Sequence, residues 1–239
     1  GDTSLGTATA GSDGTFSITS SELADNSYTL TVKATDAAGN ESAVSSGLTI
    51  EIDTTPPSIP VISMTTAFAN NNTPAIQGTA EAGSIVELFN GDNSLGTAIT
   101  GSDGTFSITS SELVDGIYAL TVKAKDAAGN ENDVASNTIT LTVDTIIPTI
   151  GITSDVSSLK AGESAELTFT LSEASTDFIE ADITATGGTI SNFAADSATV
   201  YTATFTLSDN SSDNGVISVS ASVFSDAAGN ENTSSSLTV

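Results

Sequence analysis

Thirty of the 239 residues are Asp or Glu, against four lysines and no arginine, histidine or cysteine. The chemistry open to such a set is narrow. Without His or Cys there is no Ser–His–Asp or Cys–His nucleophile system and no soft-metal site. No glycine-rich phosphate-binding run appears. Paired carboxylates can hydrolyse glycosides, but that needs aromatic platforms, and aromatics are only 5% with no Trp. Hard-cation chemistry remains. Carboxylate and carbonyl oxygens suit an ion taking about six to eight oxygen ligands, and Ca2+ is the extracellular choice. The spacing of an EF-hand loop is absent, because Asp126 is followed by Ala127, Ala128 and Gly129.

The net charge of −26 makes nucleic acid and anionic membrane poor partners. Charge alone leaves two readings open. One is a well-solvated, salt-adapted surface; the other is specific binding of divalent cations. No apolar run is long enough to insert in a membrane.

Position discriminates among the acids. The motif DAAGNE begins at Asp36, Asp126 and Asp226, at spacings of 90 and 100 residues. Residues 1–41 and 91–131 agree at 33 of 41 positions. A period near 100 residues is that of a small sandwich domain rather than a solenoid turn. Apolar strand-like runs are followed by DTTPP at 53–57 and DTIIP at 144–148, whose prolines stiffen the connections. The predicted units are therefore 1–52, 53–143 and 144–239. The first lacks a counterpart of residues 53–90 and should expose half a core, so the chain is expected to be a piece of a longer array.

The elements that must position the acids are strands. Tyr118, Leu120, Val122 and Ala124 alternate with Ala119, Thr121, Lys123 and Lys125. The second unit should hold about seven strands, near 58–63, 74–79, 84–89, 94–100, 104–109, 117–125 and 137–143: a Greek-key sandwich. Strands alternate in direction, so the loops after strands two, four and six share a pole with the incoming linker. That gathers Asp53, Glu81, the 101–104 loop with Asp103, and Asp126 in the second unit, and Asp144, Glu173 and Asp226 in the third. Asp126 continues the inward series of its strand. In the third unit Ile217 and Val219 are odd while Asp226 is even, so a bulge near Phe224 is required. Converging carboxylates repel unless a cation sits between them. An ordinary Asp/Asn/Gly turn is the competing reading of each DAAGN loop. Asp103 and Asp115 are read as turn residues, with Glu112 and Asp115 at the pole facing the next junction. The loop from Asp209 to Asp213, with its Asn210-Ser-Ser match, is read as solvated surface.

The pattern NNTPAIQGTAEAGSIVELF, GTFSI and DGIYALTVKAKDAAGN in the second unit resembles the bacterial Ig-like repeats of giant surface adhesins, of the biofilm-associated-protein-like and RTX types. The third unit is similar to a related bacterial Ig-like family through PTIGITSDVSSLKAGESAELTFTLSEAST. The resemblance implies an all-β chain of tandem immunoglobulin-like Greek-key β-sandwiches. It implies an extracellular, cell-surface stalk with Ca2+ between consecutive domains and adhesive targets bound by other modules. Carried over residue by residue, the implied ligands are Asp53, Glu81, Asp126 and Asn130, then Asp144, Glu173, Asp226 and Asn230. The truncated repeat keeps only Asp36 and Asn40. The expected partners are neighbouring Ig-like domains of the same chain. Three alternatives stay open: a loop-mediated glycan- or protein-binding module, a spacer in an extracellular enzyme, and a homopolymeric fibre in which another chain's strands complete the first repeat.

Overall fold

The computed structural model describes residues 3–64, 67–209 and 214–239. Asn210 and Asp213 of the acidic loop near the C-terminus lie outside them.

In the first repeat, β1 (Asn26–Leu30) and β2 (Leu48–Ile52) form an antiparallel pair. Its apolar side chains stand open. Phe16 is 56% exposed and Val32 41%, whereas their counterparts Phe106 and Val122 are 4% and 0% exposed.

The second unit holds β3 (Val61–Ile62), β4 (Phe68–Ala69), β5 (Ala75–Thr79), β6 (Ile85–Asn90), β7 (Asn93–Ile99), β8 (Thr105–Thr109), β9 (Gly116–Lys125) and β10 (Ile139–Val143). One sheet runs β3-β5-β8 and the other β4-β10-β9-β6-β7. Alternate residues of each inner face, among them Ile76, Val86, Leu88, Leu120 and Leu141, are wholly buried. Such side chains each contribute about 1.5–3 kcal/mol of transfer free energy. All seven expected strands are present. The eighth, β4, lies parallel to β10, and the carbonyls of Ala67 and Ala69 accept from the N–H groups of Thr142 and Asp144. It runs in the same direction as β3 would in one long first strand, so the pole assignment of the loops is unaffected. Near the start of β9 the Tyr118 hydroxyl donates to the Val114 carbonyl at 2.7 Å, the tyrosine corner of immunoglobulin-like folds.

The third unit holds β11 (Ile150–Ser154), β12 (Ser164–Leu171), β13 (Ile183–Thr186), β14 (Gly188–Ala195), β15 (Val200–Leu207), β16 (Val216–Val219) and β17 (Ser235–Thr238). Sheets β11-β12-β15-β14 and β13-β16-β17 reproduce the four-plus-three layout of a constant-type sandwich. The parity break that Asp226 requires occurs two residues before Phe224. Ser222 takes a φ of 60°, after which Phe224 turns inward at 2% exposure.

Candidate metal centre

The linker residue Asp144 is held from both sides. Its N–H extends β10 by donating to the Ala69 carbonyl at 2.9 Å, within the second unit. Its own carbonyl accepts from the Asn230 side-chain amide of the third unit at 2.8 Å. One residue on, the Thr145 N–H and hydroxyl donate to Asp115 at 3.0 and 2.9 Å. Asp115 therefore serves the junction it faces rather than only its own turn. Glu112 does not; it accepts from Asn72 within the second unit.

Each DAAGN loop is a closed Asx-type turn. Asp226 accepts from the N–H groups of Ala228 and Asn230, at 2.8 and 2.9 Å, and from the Asn230 amide at 2.8 Å. Asp126 accepts the N–H groups of Gly129 and Asn130 and the Asn130 amide. Asp36 accepts those of Ala38 and Asn40 and the Asn40 amide. The Asn130 amide also reaches the Asp53 carbonyl at 3.1 Å. Asn40, Asn130 and Asn230 thus spend their side-chain amides on holding the loop, and the latter two on the linker. The Asn130 amide is the main cause that holds the Asp126 carboxyl below its ordinary range.

Glu173 is placed by a longer route. In the second unit five residues separate β5 from β6; in the third, eleven separate β12 from β13. The extra chain folds inward through Phe178, whose ring packs on Phe169, Phe193, Tyr201 and Phe224 at centroid distances of 5.0–5.8 Å. The loop is then stitched to the strand end that carries Asp226. Asp177 accepts from the N–H and hydroxyl of Ser225, both at 3.0 Å, and the Tyr201 hydroxyl donates to the Ser175 carbonyl at 3.0 Å.

The result is a three-carboxylate cluster. Ligand oxygens of Asp144, Glu173 and Asp226 all lie within 4.8 Å of one another. Glu173 Oε1 is buried and has no hydrogen-bond partner. Burial, and then the charges of Asp144, Asp226 and Asp115, push the Glu173 carboxyl above its ordinary value. An orphaned buried oxygen among like charges is what a hard cation would relieve, and the all-oxygen donor set fits Ca2+.

The equivalent acids of the second unit do not converge among the described residues. Glu81 is exposed, and its carbonyl is taken by the Ser84 N–H and hydroxyl in a tight turn. The turn leaves the Glu81 side chain exposed.

Sequence reasoning overlooked Asn132 and Asn232. Asn232 is 2% exposed. It accepts from the N–H groups of Val223 and Phe224 at 2.8 and 3.0 Å and donates to the carbonyls of Ser220 and Thr233, both at 2.8 Å. Asn132 likewise receives the Ala124 N–H, and Ser42 does the same for Ala34. The signal was the alternation at 130–132 and 230–232, where the Asn residues face inward and Glu131 and Glu231 face out.

Family models described as bacterial Ig-like domain match residues 1–54 with 62–145, and residues 144–239. Chitinase A1 of Niallia circulans is 36% identical over 138 residues, covering 54% of this chain and 19% of that protein. Exoglucanase B of Cellulomonas fimi is 35% identical over 145 residues, covering 54% and 12%. The chain thus corresponds to a small part of either relative. The Escherichia coli adhesin FdeC aligns with a TM-score of 0.46 at 13% identity, covering 81% of this chain and 68% of that one.

Proposed function

We propose, from the premise that this chain belongs to the bacterial Ig-like domain family, that it is a non-catalytic extender of a secreted bacterial surface adhesin, stiffened by Ca2+ at the junction of residues 144–148. The observation that carries this is the cluster of Asp144, Glu173 and Asp226 around a buried, unpartnered Glu173 Oε1. Asp144 is rooted in the second unit and its partners belong to the third, so an ion held there restrains one domain against the other. The ion would neutralise the carboxylates and supply an electrostatic lock. Affinity on the order of 10⁻⁴–10⁻³ M suits an extracellular module.

The tyrosines do not favour a glycan-stacking surface. Tyr201 is buried, and the hydroxyls of Tyr28 and Tyr118 are tied to carbonyls four residues upstream. A second reading keeps the spacer role but places it in an extracellular glycan-degrading enzyme. The likeness to chitinase A1 and exoglucanase B favours it. Retention on insoluble chitin or cellulose would point instead to a glycan-binding module.

Small-angle scattering of the chain in millimolar Ca2+ and in EDTA tests the stalk reading. A longer maximum dimension and narrower pair-distance distribution with Ca2+ are expected. Identical curves would sink it.

A further inference from the structure

The two linkers begin alike and are held differently. At the first, Asp25 accepts three hydrogen bonds: from the Thr54 N–H at 3.1 Å, the Thr54 hydroxyl at 2.8 Å and the Thr55 hydroxyl at 2.8 Å. Both carboxylate oxygens are engaged, and these bonds hold the Asp25 carboxyl below its ordinary range. On the other side the Asn130 amide holds the Asp53 carbonyl, while the Asp53 carboxylate caps the Thr55 N–H at 3.0 Å. At the second linker the residue in the place of Thr55 is Ile146, which has no hydroxyl. Among the described residues Asp115 accordingly accepts only from Thr145, through one oxygen. The second junction has one side-chain bond fewer to its linker and, unlike the first, a cluster of three acids.

The acids differ in the same sense. Asp126 and Asp226 are held almost identically, and Asp53 and Asp144 each cap the second N–H after their own. The discriminating residue is the glutamate of the loop after the second strand. Glu173 is half-buried with an orphaned oxygen, whereas Glu81 is exposed on a short turn. The buried carboxylate of the first junction, Asp126, already has both oxygens engaged by Gly129 and Asn130, and among the described residues no carboxylate oxygen there is buried and unpartnered, so none calls for a cation.

We infer that the two junctions divide the work: the one at residues 53–57 is a cation-free clasp of Asp25 and Asn130 on the linker, and only the one at 144–148 recruits a divalent cation. This rests on the calcium reading above. It implies that divalent ions adjust the stiffness of this chain at one of its two linkers.

Equilibrium dialysis of the whole chain against labelled Ca2+ tests this. At about 0.15 M salt the Debye length is near 8 Å, which suppresses diffuse counter-ion accumulation on a chain this acidic. One saturable equivalent per chain is expected, lost in Glu173→Gln and kept in Glu81→Gln. Melting in EDTA verifies that both variants fold. Two equivalents, with one lost in Glu81→Gln, would overturn the division while leaving the calcium reading intact. No saturable binding would overturn the calcium reading, and the division with it.

Discussion

The side-chain amide of Asn230 donates to the backbone carbonyl of Asp144, 86 residues earlier, at 2.8 Å. The Asp144 N–H meanwhile extends the sheet of the preceding domain through the Ala69 carbonyl. A single peptide unit's neighbourhood thus belongs to two sandwiches. Asn70 of the second domain adds a direct contact by donating to the Gly229 carbonyl at 3.1 Å. Short polar contacts thus cross this junction, which makes it open to adjustment by charge.

Asn232→Ala should destabilise the third domain by about 2–4 kcal/mol, because it strips buried N–H groups of Val223 and Phe224 of their acceptor. Urea unfolding of the whole chain checks this. The transition assigned to the third domain should move to lower urea while that of the second stays in place.

Glu173→Gln should stabilise the metal-free chain by up to about 1 kcal/mol, by removing a like charge from the cluster. The pH dependence follows from the same group. Its carboxyl is raised above the ordinary value of 4.5, so the native chain holds this proton more tightly than the unfolded chain. Metal-free stability should therefore grow as pH falls from the folded pKa toward 4.5, and be lost as pH rises through the folded pKa. Asp126, whose carboxyl is lowered by Asn130, acts oppositely: its contribution is lost as pH falls below about 3.8. Melting of the wild type and Glu173→Gln in EDTA across this range should show the first slope in the wild type only.

Ile146→Thr should restore to the second linker the hydroxyl that Thr55 gives the first. Ile146 is 58% exposed, so little apolar burial is lost. A gain of about 0.5–1 kcal/mol in EDTA is expected, with a smaller response to Ca2+. Paired melts in EDTA and Ca2+ measure both.

Much of this was legible in residue types and spacing. Period-two alternation located the strands, and the alternating direction of successive strands placed Asp144, Glu173 and Asp226 at one pole, although parity conflicted at Asp226. β4 left no signal, because a two-residue strand carries no period and is held by the carbonyls of Ala67 and Ala69. The Ser222 kink was foreseeable as a parity conflict but not in position, since Asn232 supports it from ten residues away. The difference between Glu81 and Glu173 was hidden for another reason. Topology assigns a loop to a pole, but not how the loop packs: the one carrying Glu173 continues inward through Phe178, whereas the one carrying Glu81 closes in a tight turn.

The most direct test is thermal unfolding of the whole chain in 10 mM CaCl2, in 10 mM MgCl2 and in EDTA. A Kd near 10⁻⁴ M gives about 2.7 kcal/mol at a hundredfold excess of ion. At about 4–8 °C per kcal/mol for a domain of this size, that corresponds to a rise of about 11–22 °C. The rise should be confined to the third domain, exceed that in Mg2+, and vanish in Glu173→Gln. Equal melting temperatures in CaCl2 and MgCl2, or an undiminished calcium shift in Glu173→Gln, would contradict a calcium ion held by Asp144, Glu173 and Asp226.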